Sequence, residues 1–197
     1  IDYFFTPSSP WTYLGHPRFS AIASTYGARV HLKPCDLGKV FSISGGLPLK
    51  QRSQQRQDYR LVELERWRDY LQAALNLQPK FFPVPSDRSS KAIIAVDLAH
   101  GTPTAMSFAF AVMRACWAEE KNIDDAATLD ALAQQIGIDP ATISADQIKA
   151  DAKTRYDQNT QAAIDKGVFG APWFIFNGVP FWGQDRLDHL ERAVAKG

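Results

Sequence analysis

The sequence predicts an α/β fold in which the two ends of the chain form one domain around a large all-helical insertion. Strand-like segments occur only near the ends, at residues 1–5, 29–34 and 173–182. Between the second and third of these segments, apolar residues recur at the three- and four-residue steps typical of helices. The predicted order is therefore β-α-β, a helical block, and then β-β-α.

The first strand and helix are predicted from residues 1–26. Tyr3, Phe4 and Phe5 favour a half-buried strand. Ser9 stands where a helix N-cap belongs, and Pro10 stands at the first helical position. Open α/β sheets bind ligands at the carboxyl ends of their strands, and a helix N-terminus there favours an anion. Ser-Pro is also an ordinary way to begin a helix, so a purely structural role remains the alternative.

The segment after the second strand is predicted to be a loop. Residues 29–34 alternate between apolar and polar side chains, which favours a strand parallel to the first. Residues 38–48 then include Gly45, Gly46 and Pro48, which favour a loop. A loop of this length near the carboxyl edge of the sheet is a candidate binding loop.

The middle of the chain is predicted to be helical. The segment from residue 51 repeats apolar residues at Leu61, Leu64, Trp67 and Leu71. Further helices are predicted at residues 89–100, 103–120, 126–137, 144–151 and 153–166. The second of these is apolar on nearly every side and is expected to be buried.

The chain ends with a predicted hairpin and helix. Residues 173–176 and 179–182 flank Asn177-Gly178, a pair that suits a type I′ turn. A last helix is predicted over 185–195. This order fits a thioredoxin-like fold with a helical insertion between its βαβ and ββα halves. The predicted domains are residues 1–45 with 166–197, and residues 46–165.

Composition excludes several classes of function. Of 197 residues, 45% are hydrophobic and 22% are charged, and the net charge is +1. This charge gives no electrostatic case for nucleic acid or a membrane surface, and no apolar run approaches the ~20 residues of a membrane span. Two isolated cysteines indicate a reducing compartment, and the four histidines show no metal-ligand spacing.

Three motifs carry a resemblance to a known family. They are Tyr3-Phe4-Phe5 with Ser8-Ser9-Pro10-Trp11, Val168-Phe169-Gly170-Ala171-Pro172-Trp173-Phe174, and Phe181-Trp182-Gly183-Gln184-Asp185-Arg186-Leu187. In this order they resemble the 2-hydroxychromene-2-carboxylate isomerases. These enzymes belong with the kappa-class glutathione transferases, a branch of the thioredoxin superfamily near the bacterial disulfide oxidoreductases. The resemblance also covers residues 59–67 and 155–167.

The resemblance implies a dithiol-enzyme scaffold without its cysteines. Ser9-Pro10-Trp11-Thr12 stands where the redox relatives have C-x-x-C, so the chain lacks the thiols for disulfide exchange. The resemblance implies that Ser9 is catalytic, because its hydroxyl can donate a hydrogen bond to the thiolate of bound glutathione. A hydrogen bond to the charged form lowers a thiol pKa. Pro10 and Trp11 complete this part of the expected glutathione site.

The other glutathione contacts are also implied by the resemblance. Ala171, before a cis Pro172, is expected to pair its backbone with the cysteinyl part, as in strand addition; the alternative is a proline that begins an edge strand. Gln184 and Asp185 are expected to hold the γ-glutamyl end, although Asp185 also fits as an N-cap of the last helix. Arg56 replaces a family lysine near the glycyl end and changes the geometry there.

The expected substrate site is less well marked. A family asparagine near the glycyl end corresponds to Gly46. The aromatic side chains that could pack on a substrate ring are those of Trp11, Phe82 and Trp182, although core packing explains them equally well. Residues matched to the substrate mouth, or offered as partners for a substrate carboxylate, are Ser86, Asp87, Arg88 and Lys91.

The resemblance implies a glutathione-dependent isomerase in aromatic degradation of the naphthalene type. The reaction is the conversion of 2-hydroxychromene-2-carboxylate to trans-o-hydroxybenzylidenepyruvate. One alternative is a kappa-like glutathione transferase or peroxidase that acts on electrophiles. Another is a non-catalytic thioredoxin-fold protein that binds peptide or thiol ligands. We expect a bacterial cytoplasmic protein and, as is common in the family, a homodimer with a small aromatic carboxylate as substrate.

Overall fold

A four-stranded mixed sheet forms the centre of the molecule. The computed structural model describes all of residues 1–197. The strands are β1 (Asp2–Phe5), β2 (His31–Pro34), β3 (Trp173–Phe176) and β4 (Val179–Trp182). Their order is β2-β1-β3-β4; β1 and β2 are parallel, and the other pairs are antiparallel. The predicted thioredoxin-like arrangement, with its βαβ and ββα halves, is confirmed.

Nine α-helices surround and extend this sheet. They are α1 (Pro10–Thr25), α2 (Leu37–Ser44), α3 (Gln54–Leu71), α4 (Asp87–His100), α5 (Thr102–Trp117), α6 (Ala126–Gln135), α7 (Pro140–Ser144), α8 (Asp146–Asp165) and α9 (Leu187–Val194). Two short 3-10 helices cover Leu49–Gln51 and Gln184–Arg186. The helices α3 to α8 form the predicted all-helical insertion. No helix is both long enough and apolar enough to cross a lipid bilayer.

The prediction of a loop over residues 38–48 is wrong for its first half. Asp36 caps α2, since its Oδ1 accepts hydrogen bonds from the N–H groups of Gly38 (2.8 Å) and Lys39 (3.2 Å). The helix ends at Gly45, whose φ of 75° is accessible to glycine without steric cost. Val40 lies on the buried face of α2. A cap at one end and a glycine at the other thus delimit a short helix.

Two further boundaries differ from the sequence prediction. Residues 146–165 form one continuous helix rather than two, and Ala152, where a break was expected, is buried in it. The last α-helix begins at Leu187, after the Gln184–Arg186 turn. Asp185 therefore does not cap α9, and its carboxylate accepts a hydrogen bond from Arg186 at 2.8 Å instead.

The local signals at the two ends of the chain are confirmed. Ser9 caps α1, and Gly27, with a φ of 59°, follows the end of this helix. Asn177 and Gly178 both have positive φ, at 48° and 78°, as a type I′ turn requires. The Ser9 cap follows the end of β1, and the type I′ turn joins β3 to β4; the site described below lies at the end of β1 and just before the start of β3.

The largest hydrophobic core is shared by the sheet and the helical insertion. Tyr3 stacks on Phe5 and Phe174, and the same cluster of 33 buried residues includes Ile93 of α4 and Phe108 of α5. The prediction that residues 105–113 of α5 are buried is confirmed only in part, since Met106, Phe110 and Ala111 are half-buried and Ser107 is exposed. This continuous packing attaches the insertion firmly to the sheet, and the domain boundaries remain a prediction.

Candidate active site

Ser9 lies at the junction between β1 and α1. Its backbone is extended, and its Oγ accepts a hydrogen bond from the Thr12 N–H at 3.3 Å. The N–H of Ser9 donates to the Thr6 carbonyl oxygen at 3.1 Å, which holds the turn. Because the Ser9 oxygen acts as an acceptor within the chain, the hydroxyl hydrogen remains available for a ligand.

The first turn of α1 has an unpaired donor beside Ser9. Pro10 occupies the first helical position and has no N–H. The N–H of Trp11 makes no hydrogen bond within the chain. Unpaired N–H groups and the helix dipole make this end of α1 electropositive. An anion next to Ser9 is therefore favoured by both features.

Ala171 presents a free backbone edge next to this helix. The Ala171-Pro172 peptide bond is cis, as expected from the resemblance. Neither the N–H nor the C=O of Ala171 makes a hydrogen bond within the chain, whereas the Pro172 carbonyl accepts from the Gly183 N–H at 2.9 Å. An extended peptide can therefore pair with Ala171. Pro172 itself is buried and lines neither of the two clefts described next.

A cleft of about 510 Å³ surrounds Ser9, and we call it the Ser9 cleft. Its walls include the start of α1, the segment 36–49 with α2, and one side of α3. The residues of the predicted site that line it are Ser9, Pro10, Trp11, Arg56, Phe82, Ser86, Ala171 and Trp182. Although part of residues 38–48 is helical, this segment does border the site, and Gly46 is among the lining residues.

A second cleft of about 770 Å³ lies on the other side of Trp11, and we call it the Gln184 cleft. Gln184 and Asp185 line it, together with Tyr59, Glu63 and Trp67 of α3. Trp11, Ala171 and Trp182 line both clefts. The two clefts are therefore neighbours, and an elongated ligand could extend from Ser9 to Gln184.

Gln184 is held firmly in the wall of its cleft. It is only 2% exposed, and Arg18 donates hydrogen bonds to its backbone carbonyl (2.8 Å) and to its side-chain Oε1. The side-chain Nε2 of Gln184 has no hydrogen-bond partner in the chain. Asp185 is exposed and pairs only with Arg186. Gln184 thus offers donors from a fixed position, and Asp185 offers a carboxylate at the surface.

Three arginines of α3 and the segment before it face the Ser9 cleft. Arg56 and Arg60 are four residues apart and so lie on one side of α3, while Arg52 precedes the helix and lines the same cleft. Only Arg56 was predicted from the sequence. The regular spacing was a signal for the other two, but which side of α3 faces the site depends on tertiary packing. Burial and the nearby charge of Arg52 lower the pKa of Arg60 to about 10, so it remains cationic at neutral pH.

The predicted substrate residues separate into two groups. Phe82 lines the Ser9 cleft and packs on Trp117, with a centroid distance of 4.7 Å. The Ser86 hydroxyl shares a hydrogen bond of 2.8 Å with Thr6, whose hydroxyl also contacts that of Ser8 at 3.2 Å. Phe82 and Ser86 therefore belong to the site, and sequence reasoning missed Thr6.

Asp87, Arg88 and Lys91 do not reach the Ser9 cleft. Asp87 accepts a hydrogen bond from Lys91 at 2.5 Å, and Arg88 lies 3.9 Å from Asp124. All three line a different cleft, beside α6 and α8. Successive residues of a helix are rotated about 100° from one another, so the residues that follow Ser86 at the start of α4 face another side.

The cysteines lie away from the site. Cys35 and Cys116 are buried and line neither cleft. Burial raises the pKa of both thiols to about 12. No cluster of three or more His, Cys, Asp or Glu side chains has the geometry of a metal site. The Ser9 cleft is lined by hydroxyl and guanidinium groups, the Asp36 carboxylate, backbone amides and aromatic rings.

Comparisons with known proteins agree with this arrangement. Residues 1–195 match the family model of the DSBA-like thioredoxin domain. The chain is 29% identical over its full length to a 2-hydroxychromene-2-carboxylate isomerase of Pseudomonas putida, of which it covers 94%. It is 30% identical to an isomerase of the same name from another Pseudomonas, with 98% of this chain and 89% of the relative aligned.

Solved structures give the same result. A 2-hydroxychromene-2-carboxylate isomerase superposes with a TM-score of 0.80 at 27% identity, covering 99% of this chain and 94% of the other. The cytosolic disulfide reductase DsbM from Pseudomonas aeruginosa, solved with GSH, superposes with a TM-score of 0.66 at 16% identity, covering 99% and 96%, and shares the fold. The chain belongs to the DSBA-like thioredoxin domain family and, within it, to the family of the 2-hydroxychromene-2-carboxylate isomerases.

Proposed function

We propose that this protein is a glutathione-dependent isomerase that converts 2-hydroxychromene-2-carboxylate to trans-o-hydroxybenzylidenepyruvate. The observation that carries the proposal is the state of Ser9, a helix cap whose hydroxyl hydrogen is free for a ligand. It stands next to an unpaired helix N–H, in a cleft that no cysteine lines. Relatives of this chain at 29% and 30% identity are named as this isomerase.

The groups in the two clefts fit glutathione. The unbonded N–H and C=O of Ala171 suit the cysteinyl part, which places its sulfur near Ser9. The Gln184 donors and the Asp185 carboxylate suit the carboxylate and the ammonium of the γ-glutamyl end. Arg56, at the Ser9 cleft, suits the glycyl carboxylate. The DsbM structure with GSH supports the use of this fold for the same ligand.

When bound, glutathione would supply a thiolate nucleophile that adds to the conjugated carbon of the substrate and is released again after the ring has opened and the new single bond has rotated. The Ser9 hydroxyl donates a hydrogen bond to the sulfur, and this bond is stronger when the sulfur is charged. The N-terminus of α1 stabilises the same negative charge. Both effects lower the thiol pKa from its ordinary value of about 8.5, so the thiolate fraction near neutral pH rises.

The remaining residues of the Ser9 cleft orient the substrate. Trp11, Phe82 and Trp182 offer aromatic surfaces on which a substrate ring can pack. Their apolar area also excludes water, which strengthens electrostatic interactions between the bound groups and the protein. The hydroxyl pair of Thr6 and Ser86 ties the start of α4 to the turn that carries Ser9. This contact keeps the aromatic wall and the hydroxyl in a fixed relation.

The test separates the two roles of Ser9 by substitution. Ser9→Ala removes both the cap and the donor, whereas Ser9→Asp keeps a cap acceptor but cannot donate a hydrogen bond to a thiolate. We expect both variants to lose at least about tenfold in kcat, with little loss of glutathione affinity in Ser9→Ala. The loss in Ser9→Asp should be at least as large, because its carboxylate also repels a thiolate. An unchanged kcat in Ser9→Asp would contradict the assigned role. Recovery of all added glutathione after turnover distinguishes an isomerase from a transferase.

A further inference from the structure

The lining of the Ser9 cleft carries more positive than negative side chains. Arg52, Arg56 and Arg60 line it, and none of them lies within 4.0 Å of a carboxylate oxygen of the chain. Asp36 is the one acidic residue of the lining, and its Oδ1 is engaged in capping α2. Three guanidinium groups and one carboxylate give the lining a net formal charge of +2, which favours anionic ligands in this cleft.

The three arginines are not equivalent. Arg52 donates from its Nε to the Leu47 carbonyl at 2.8 Å and so holds the segment after α2. Arg56 is exposed at the mouth of the cleft, which suits the glycyl end of glutathione. Arg60 is more buried, and its guanidinium lies over the rings of Phe82 (5.2 Å) and Trp117 (5.7 Å). Arg60 is therefore the arginine next to the aromatic wall.

The Arg60 guanidinium is not satisfied within the chain. Its Nη2 is shielded from solvent and has no hydrogen-bond partner. The rest of the Arg60 guanidinium makes no hydrogen bond or ion pair within the chain either, so a carboxylate that reaches it from the Ser9 cleft would gain charge-assisted hydrogen bonds without displacing a protein partner. The position of the guanidinium over two aromatic rings also restricts its movement before a ligand binds. A planar acid could then meet an oriented cation and an aromatic surface together.

We infer that Arg60 binds the carboxylate of the aromatic substrate and makes the enzyme selective for aromatic acids over neutral electrophiles of the same shape. The inference rests on the proposed function, to which it adds the residue that recognises the substrate charge. Arg56 and Arg60 then divide two carboxylates between them, one from glutathione and one from the substrate. Arginine suits this role because its donors match both oxygens of a carboxylate.

The first experiment compares an acid with a neutral analogue. The acid is the cis form of o-hydroxybenzylidenepyruvate, and the neutral analogue is the corresponding methyl ketone. Each compound is supplied together with glutathione to the wild type, Arg60→Gln and Arg68→Gln. Arg68 is a matched control, since it lies on α3, pairs with Glu65 and Asp69, and lines neither cleft. We expect Arg60→Gln to lower kcat/KM for the acid at least about tenfold and to change it less than about twofold for the ketone.

Arg60→Lys guards against a folding defect. This variant keeps the positive charge but lacks the planar pair of donors. Its kcat/KM for the acid should therefore fall less than that of Arg60→Gln. Glutathione affinity and the pKa of the bound thiol should be the same in all four proteins. If Arg60→Gln has unchanged activity toward the acid, or loses activity toward acid and ketone equally, Arg60 does not recognise the carboxylate, while the proposed isomerase function still stands.

A binding measurement separates failure of this inference from failure of the proposed function. The probe is chromone-2-carboxylate, a planar acid with no bond to isomerise, titrated into the glutathione-loaded protein by calorimetry. We expect wild-type binding that weakens at least about tenfold in Arg60→Gln and is unchanged in Arg68→Gln. If the wild type binds this acid through Arg60 but isomerises nothing, the proposed reaction fails and the carboxylate site stands. Equal affinity in wild type and Arg60→Gln overturns the site.

Discussion

Gly15 marks the closest approach between α1 and the turn that carries Gln184. A Cβ atom at position 15 would lie 2.7 Å from the Gln184 Cβ and 3.5 Å from its Cα. Carbon atoms in contact prefer separations of about 3.5–4.0 Å, so Gly15→Ala should displace the turn by about 1 Å. Overpacking of this kind costs about 1–3 kcal/mol, and the better helix propensity of alanine recovers about 1 kcal/mol. We expect a net loss of about 1 kcal/mol in the free energy of unfolding.

The displacement should affect glutathione binding more than stability. A loss of about 1 kcal/mol lowers the melting temperature by about 2–4 °C in a chain of this size. Glutathione affinity should fall about tenfold, because Gln184 and Asp185 move together relative to Ala171. Thermal unfolding and calorimetric titration measure the two effects.

Ala21→Gly is the matched control for this prediction. Ala21 is an exposed position of the same helix. Replacing it with glycine should lower the free energy of unfolding by about 1 kcal/mol through helix propensity alone and leave glutathione affinity unchanged. A Gly15→Ala variant with wild-type stability and wild-type glutathione affinity would refute the idea that this close packing positions Gln184.

Two further predictions concern buried polar groups. Burial lowers the pKa of His16 from 6.5 to about 4. As the pH falls, the unfolded state therefore binds a proton before the folded state does. Up to about 3 kcal/mol of the free energy of unfolding that is present above pH 6.5 should be lost as the pH falls toward 4. Urea unfolding at a series of pH values should show this loss in the wild type and a weaker pH dependence of the free energy of unfolding in His16→Gln. An equal pH dependence in the two proteins would contradict the prediction. Arg155 donates at 3.0 Å to Asp97, whose side chain is 9% exposed, so Arg155→Met should cost about 1–3 kcal/mol. Adding Asp97→Asn to Arg155→Met should restore part of the lost free energy of unfolding. If the losses of the two single variants simply add in the double variant, Arg155 and Asp97 are not coupled.

The ends of the chain could be predicted because their signals are local. The Ser9 cap, Pro10 after it, and the Asn177-Gly178 turn each depend on a few adjacent residues. The helix α2 was not predicted, because Gly45, Gly46 and Pro48, which follow it, favour a loop when only neighbours are considered. Its buried residue Val40 packs in a cluster with Ala163 and Val168, which lie far along the chain. That tertiary contact outweighs the local preference.

The site could be predicted only in part for the same reason. The resemblance identified the residues around Ser9, Ala171 and Gln184, and the structure brings them together along two neighbouring clefts. The bond between Thr6 and Ser86 joins residues that no local pattern connects. Arg60 carries a regular spacing in the sequence, but its burial against aromatic rings appears only when the chain is folded.

The most direct test of the central claim is the ultraviolet absorbance of the glutathione thiolate, titrated against pH in the presence of the wild type, Ser9→Ala and Ser9→Asp. Ser9→Ala should lose about 1 kcal/mol of stability with its cap, while Ser9→Asp should keep the cap. We predict a thiol pKa well below that of free glutathione in the wild type and a rise toward the free value in both variants. A low pKa that persists in both variants, or wild-type binding without any shift, would contradict thiolate activation by Ser9.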